Sequence, residues 1–200
     1  MSANHLIGIT GGIGSGKSSV SRFWSAYAGL PRIDIDLICR ELLEVGMPAW
    51  TALRADLEGS FFEPDGRLRR GVLRAAIFGD DGFRFKVNQL IHPLALDLLH
   101  QKTADLEGLV LVDVPLLFEA GWEGEFVGTV VVYADPQTCC RRLSSRDNIP
   151  PGEAVKAISA QMEIGEKAMR ADHVVDNRYN WLLTRMQAAH LAGWAGDNFI

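Results

Sequence analysis

The sequence predicts an α/β fold, a parallel sheet with helices packed on its faces. Three observations carry this. Short apolar runs alternate with segments of helical periodicity along the chain. Leu109-Val110-Leu111-Val112 and Thr129-Val130-Val131-Val132-Tyr133 are continuous apolar runs, as strands covered on both faces must be. A glycine-rich stretch separates the first apolar run from the first helical one. With 200 residues, 48% hydrophobic and 22% charged, the chain suffices for one domain with inserted segments.

His5-Leu6-Ile7-Gly8-Ile9-Thr10 reads as the first buried strand, and Lys17 to Tyr27 as the helix after it. A second short strand ends near Ile33-Asp34, and Asp36 to Glu44 is helical. From Pro48 to about Gly108 the pattern is helical, an insertion before the third strand. It breaks at Glu63-Pro64-Asp65-Gly66 and Gly79-Asp80-Asp81-Gly82, where turn residues cluster. His92-Pro93 interrupts a further helical pattern there. After the strands at 109–112 and 129–133, Gln137 to Arg146 and Glu153 to Gln161 read as helices separated by Asn148-Ile149-Pro150-Pro151-Gly152. His173-Val174-Val175 is the last strand and Trp181 to Trp194 the last helix. There is no internal repeat and no low-complexity segment.

Composition excludes several classes. A formal net charge of -5 does not suit a general nucleic-acid coat, so any phosphate binding falls to local basic groups and backbone amides. Cys39, Cys139 and Cys140 are odd in number and two are adjacent, which argues for reduced thiols in a cytosolic compartment. No metal-ligand spacing joins them to histidines. The N-terminal residues lack a signal-peptide pattern, and no apolar stretch approaches the roughly 20 residues that span a bilayer.

Gly11-Gly12-Ile13-Gly14-Ser15-Gly16-Lys17-Ser18 fits G-x-x-x-x-G-K-[ST] between a predicted strand and a predicted helix. Glycines let the backbone turn tightly and bring its N–H groups to phosphate oxygens. The helix N-terminus adds the positive end of a dipole. Lys17 would reach the β- and γ-phosphates and the Ser18 hydroxyl a Mg²⁺ ion. The loop implies ATP or GTP, without separating a kinase from a switch or a motor. A guanine-specifying N-K-x-D segment, which a switch would want, is absent from the sequence.

Further candidates surround this loop. Asp34 and Asp36 follow the second strand, where residues face the ligand crevice of a parallel sheet. Either could accept a hydroxyl proton or hold Mg²⁺ through water, and either could cap the following helix. Asp113 ends four apolar residues in the manner of a Walker-B carboxylate, a Mg²⁺ position. Arg142 and Arg146 share one helix face beside Arg141, as a phosphate-closing lid or as a solvated face. Transfer of a phosphoryl group needs cations beyond one lysine, which favours the lid. Arg70 and Arg74 form a similar pair in the insertion, and His92 is either a ligand contact or a structural histidine.

An ordered set of segments from Thr10 to Asn177 resembles the dephospho-CoA kinase family. It comprises Thr10 to Ser18, Asp34-Ile35-Asp36 with Arg40, Gly66-x-Leu68-x-Arg70-x-x-Leu73-Arg74-x-x-Ile77-Phe78, Asn88-x-x-x-His92-Pro93-Leu94, Val114-Pro115-Leu116-Leu117-Phe118-Glu119, Arg142-Leu143-x-x-Arg146-Asp147, Gln161, and Ala171 to Asn177. The resemblance implies a five-stranded nucleoside-monophosphate-kinase-like core (about 1–36, 109–136 and 170–200), a helical CoA-binding insertion (about 37–108) and a lid (about 137–169). It implies ATP-dependent phosphorylation of the ribose 3′-hydroxyl of dephospho-CoA, the last step of coenzyme A biosynthesis. Asp36 would be the general base, supported by Asp34. Lys17 and Arg142, with Arg146, would stabilise the phosphoryl group. ATP would meet Gly12, Ile13, Gly14, Ser15, Gly16, Lys17, Ser18, Ser19, Arg146 and Asn177. Dephospho-CoA would meet Thr10, Asp36, Arg70, Arg74, His92, Pro115, Leu116 and Gln161, and Mg²⁺ would meet Ser18 and Asp113. The expected protein is cytoplasmic, a monomer or weak homo-oligomer, with neither nucleic acid nor membrane as partner. Departures from the family pattern are Ser19 for a common Thr, Arg178-Tyr179 for a glycine-containing turn, and Ala157 at a lid position that is often basic.

Overall fold

The apolar runs become five parallel strands: β1 (Asn4–Gly11), β2 (Arg32–Asp34), β3 (Gly108–Asp113), β4 (Gly128–Tyr133) and β5 (His173–Asp176). Their spatial order is β2-β3-β1-β4-β5, so β1 is central and the chain crosses over at each step. This computed structural model describes residues 4–199. Residues up to Asp34 and from Asp105 onward form one compact unit, and Ile35–Ala104 form another.

In the sheet unit, side chains alternate between faces as the strand period requires. Ile7 and Ile9 of β1 join Leu109, Leu111, Val130, Val132 and Val175 on one face. That face is covered by α1 (Lys17–Ala28), through Val20 and Trp24, and by α9 (Trp181–Phe199), through Ala188, Leu191, Ala192 and Ala195. Three alanines there let α9 lie close to the strands. Trp24 is fully buried, and truncating such a side chain to alanine costs about 3–5 kcal/mol. The unit is completed by α6 (Pro136–Asp147), α7 (Pro151–Ser159) and α8 (Ile164–Arg170).

Register fixes the functional edge. Ile9 and Asp34 both pair with Asp113, so β1, β2 and β3 finish side by side at their C-terminal ends. Tyr133 pairs with Asp176 at the same edge of β4 and β5. This is the edge at which parallel sheets bind ligands.

The second unit is helical: α2 (Ile35–Leu42), α3 (Pro48–Asp56), α4 (Arg70–Gly79) and α5 (Asp81–Thr103). Val87, Ile91, Ala95, Leu99 and Thr103 form a buried stripe on α5, four residues apart. The other three helices pack against α5. The turn at Glu63 to Gly66 is closed by the Gly66 amide, which donates to the Glu63 carbonyl at 2.9 Å.

Three local expectations need correction. His92-Pro93 does not interrupt the helix: α5 continues through Pro93, which lies exposed while Ile91 and Ala95 on either side stay buried. Packing of the stripe outweighs the local penalty of proline. The break at 79–82 shrinks to Asp80, whose carboxylate accepts from the Phe83 amide and caps α5. Within Asn148 to Gly152, the second proline opens α7 at its first position, where a missing N–H costs nothing. The sequence reading also missed α8, seven residues being too short to display a period.

Candidate active site

The glycine-rich loop links β1 to α1, with Gly16 as the N-cap of the helix. Two glycines are required by geometry. Gly14 has φ 83°, and a Cβ there would lie 2.7 Å from the Cys139 carbonyl oxygen. Gly16 has φ 93°, and a Cβ there would lie 2.2 Å from Asn177 Nδ2. Both are left-handed positions packed against neighbours, which only glycine fits.

Buried Asn177 organises this packing. Its Nδ2 donates to the Ser15 carbonyl at 2.7 Å, its Oδ1 accepts from Thr184 Oγ1 at 2.9 Å, and its amide donates to the Tyr133 carbonyl at 2.8 Å. Arg142, half-buried on α6, donates to the carbonyls of Asn177 (2.8 Å) and Ser15 (3.3 Å). Asp135 places α6 by capping it, accepting from the Thr138 amide at 2.8 Å. Gln161 Oε1 accepts from the Ile13 amide at 2.8 Å. Of the sequence candidates, Arg142, Gln161 and Asn177 are therefore brought to the loop. Arg146 is not: it is exposed and its guanidinium lies on Asp147 at 2.7 and 2.9 Å.

The acidic centre lies beside the loop. Asp113 is fully buried, and one oxygen, Oδ2, receives every partner: Ser21 Oγ at 2.9 Å, Lys17 Nζ at 3.6 Å, and the Arg32 guanidinium. Oδ1 is buried without a hydrogen bond. Burial pushes the Asp113 carboxyl up, while Lys17, Ser21 and Arg32 oppose that shift. Arg32 also lies 3.7 Å from Asp34. Ser18 and Ser19 are exposed in the first turn of α1.

These residues fit Mg²⁺. The donors are hard oxygens, the Ser18 hydroxyl and the Asp113 carboxylate with its spare Oδ1. Among the described residues no group of three His, Cys, Asp or Glu could cage a metal. Mg²⁺ characteristically takes one or two protein oxygens, completing its shell with phosphates and water.

Thr10 is fully buried and donates to the Pro115 carbonyl at 3.3 Å. That carbonyl also accepts from Lys167 Nζ at 3.1 Å. Lys167 is completely buried and pairs with Glu119 at 2.8 Å, and Glu119 accepts from the Met162 amide at 3.0 Å. Leu116 follows Pro115, half-buried. Sequence reasoning missed Arg32 and Lys167. A same-face signal existed for Arg32, two residues before Asp34 on one strand; none marks Lys167.

In the helical unit, Asp36 is exposed in the first turn of α2. Arg70 donates to Glu44 at 2.8 Å and to the Arg40 carbonyl at 3.1 Å. Arg74 is exposed one turn further along α4. An open cavity of about 730 Å³ is lined by Glu44, Glu63, Asp65, Arg67, Arg69 and Arg70 among others. His92 is half-buried, and burial holds its imidazole below the ordinary range, favouring the neutral form.

Comparison with known proteins identifies the family and the fold. Residues 5–181 match the family model described as dephospho-CoA kinase. The chain is 36% identical over 198 residues to the dephospho-CoA kinase of Symbiobacterium thermophilum, covering 96% of this chain and 82% of that one. A Thermus thermophilus crystal structure superposes with TM-score 0.80 at 32% identity, over 98% of both chains. The dephospho-CoA kinase of Campylobacter jejuni, at 19% identity, shares the fold with TM-score 0.66 over 98% of this chain and 100% of its own.

Proposed function

The chain belongs to the dephospho-CoA kinase family, and we propose that it transfers the γ-phosphoryl group of ATP to the ribose 3′-hydroxyl of dephospho-CoA, releasing ADP and CoA. The observation that carries this reading is the complete phosphate loop at the sheet edge, with Lys17 and Asp113 beside it. Its amides, from Gly12 to Ser19, cradle the triphosphate, and Lys17 meets the β- and γ-phosphates. Mg²⁺ at Ser18 and Asp113 would neutralise charge developing between those phosphates.

Asp36 takes the proton of the attacking hydroxyl, and Asp34 supports it. Arg142 holds the loop through Ser15 and reaches the transferred group when 137–169 closes as a lid. Arg146 joins it by leaving Asp147, an exposed ion pair worth little. Closure excludes water that would otherwise hydrolyse ATP. We assign the acceptor to Arg70, Arg74 and His92 of the helical unit and to Thr10, Pro115, Leu116 and Gln161 of the sheet unit. Asn177 fixes the nucleotide side. Cys39, Cys139 and Cys140 form no disulfide among the described residues, and reduced cysteines suit a cytoplasmic enzyme.

The test is ADP release from MgATP with dephospho-CoA, adenosine, AMP or gluconate as acceptor. Strong stimulation by dephospho-CoA alone, with CoA as product, is the expected result. Stimulation by another acceptor would retain the kinase and overturn the acceptor.

A further inference from the structure

Among the described residues Asp113 is the only acidic residue in the buried class. A buried carboxylate that loses its counter-charge is strongly penalised. Here two cations share its Oδ2: Lys17, at 3.6 Å from α1, and Arg32, in direct hydrogen-bonded contact from β2. Lys17 belongs to the phosphate loop and works at the nucleotide phosphates. If it alone balanced Asp113, drawing it to the phosphates would strand a buried anion. Arg32 removes that conflict. It reaches Asp113 from the neighbouring strand, is itself held beside Asp34 at 3.7 Å, and stands outside the glycine-rich loop.

We propose that Arg32 is a positioning residue that carries the counter-charge of Asp113 and so frees Lys17 for the nucleotide phosphates. The proposal rests on the reading of the loop as the nucleotide site. It predicts an effect on nucleotide affinity even without metal, because Lys17 and Arg32 compete for one oxygen before any metal binds.

The experiment is titration calorimetry of ADP binding to the full chain in EDTA. Wild-type binding checks the nucleotide site independently: no binding would sink that reading rather than this one. Given binding, R32M should weaken ADP by about tenfold or more, and R32K should retain most of the affinity. In a D113N background, which has no buried anion, R32M should make no further difference. Wild-type affinity in R32M would overturn the proposal. So would equal weakening in both backgrounds, which would mean that Arg32 touches the phosphates itself. Should R32M alone not fold, the pair D113N and D113N/R32M decides: equal affinity is expected, and weaker binding by the double variant overturns the idea.

Discussion

Gly16→Ala is the sharpest perturbation of the loop. Its φ of 93° is unfavourable for any L side chain, at about 1–2 kcal/mol. The new Cβ would lie 2.2 Å from Asn177 Nδ2, so that amide must move. It cannot swing aside freely, because its other end accepts from Thr184 and the side chain is buried. Losing the 2.7 Å bond to Ser15 leaves a buried donor unsatisfied, at about 1–3 kcal/mol. The sum is about 2–5 kcal/mol. At about 2–4 °C per kcal/mol for a chain of this size, the melting midpoint should fall by on the order of 10 °C. Circular dichroism reads this, and a double-mutant cycle isolates the cause. In an Asn177→Ala background the clash disappears and Gly16→Ala should cost only its backbone strain, giving a coupling of about 1–3 kcal/mol. Additive costs, agreeing to within about 0.5 kcal/mol, would refute the claim that Asn177 is what makes glycine obligatory at position 16.

Asp36→Asn should leave ATP affinity nearly intact while cutting turnover severely, measured by calorimetry beside the coupled ADP assay; unchanged turnover would remove Asp36 as the base. Lys17→Ala should lower turnover through lost phosphate stabilisation, and full activity would undermine the site. Asp135→Ala should destabilise the fold by about 1 kcal/mol at pH 7 through loss of the α6 cap, read by urea unfolding. The Thr138 amide holds the Asp135 carboxyl below its ordinary 3.8, so its stabilisation is full above that value and lost as pH falls through the folded value; a gap to the alanine variant that widens in acid would be the wrong sign. Burial pushes the Cys139 thiol up to about 11, so iodoacetamide at pH 8 should spare it in the native protein and modify it after unfolding; equal rates would refute its burial.

The sheet and the phosphate loop were legible because each is written locally. A strand covered on both faces must be apolar throughout, and a loop that brings amides to phosphate must carry glycines at fixed spacing. Asp113 was legible for the same reason, as the polar residue that ends an apolar run. What the sequence could not display was pairing across distance. Arg142 and Arg146 look equivalent, four apart on one helix, yet one holds the Ser15 and Asn177 carbonyls and the other lies on its sequence neighbour. Helical spacing fixes a shared face, not which side chain finds a partner, and those partners are 127 and 35 residues away for Arg142. Lys167 is the extreme case. It stands between Glu166 and Ala168 on a helix too short to show a period, and nothing nearby predicts full burial. Its burial follows from two acceptors supplied by the segment after β3, the Pro115 carbonyl and Glu119. Desolvating an ammonium is tolerable only when such partners are already in place, so the position of Lys167 is a property of the assembled sheet edge and appears only once that edge has formed.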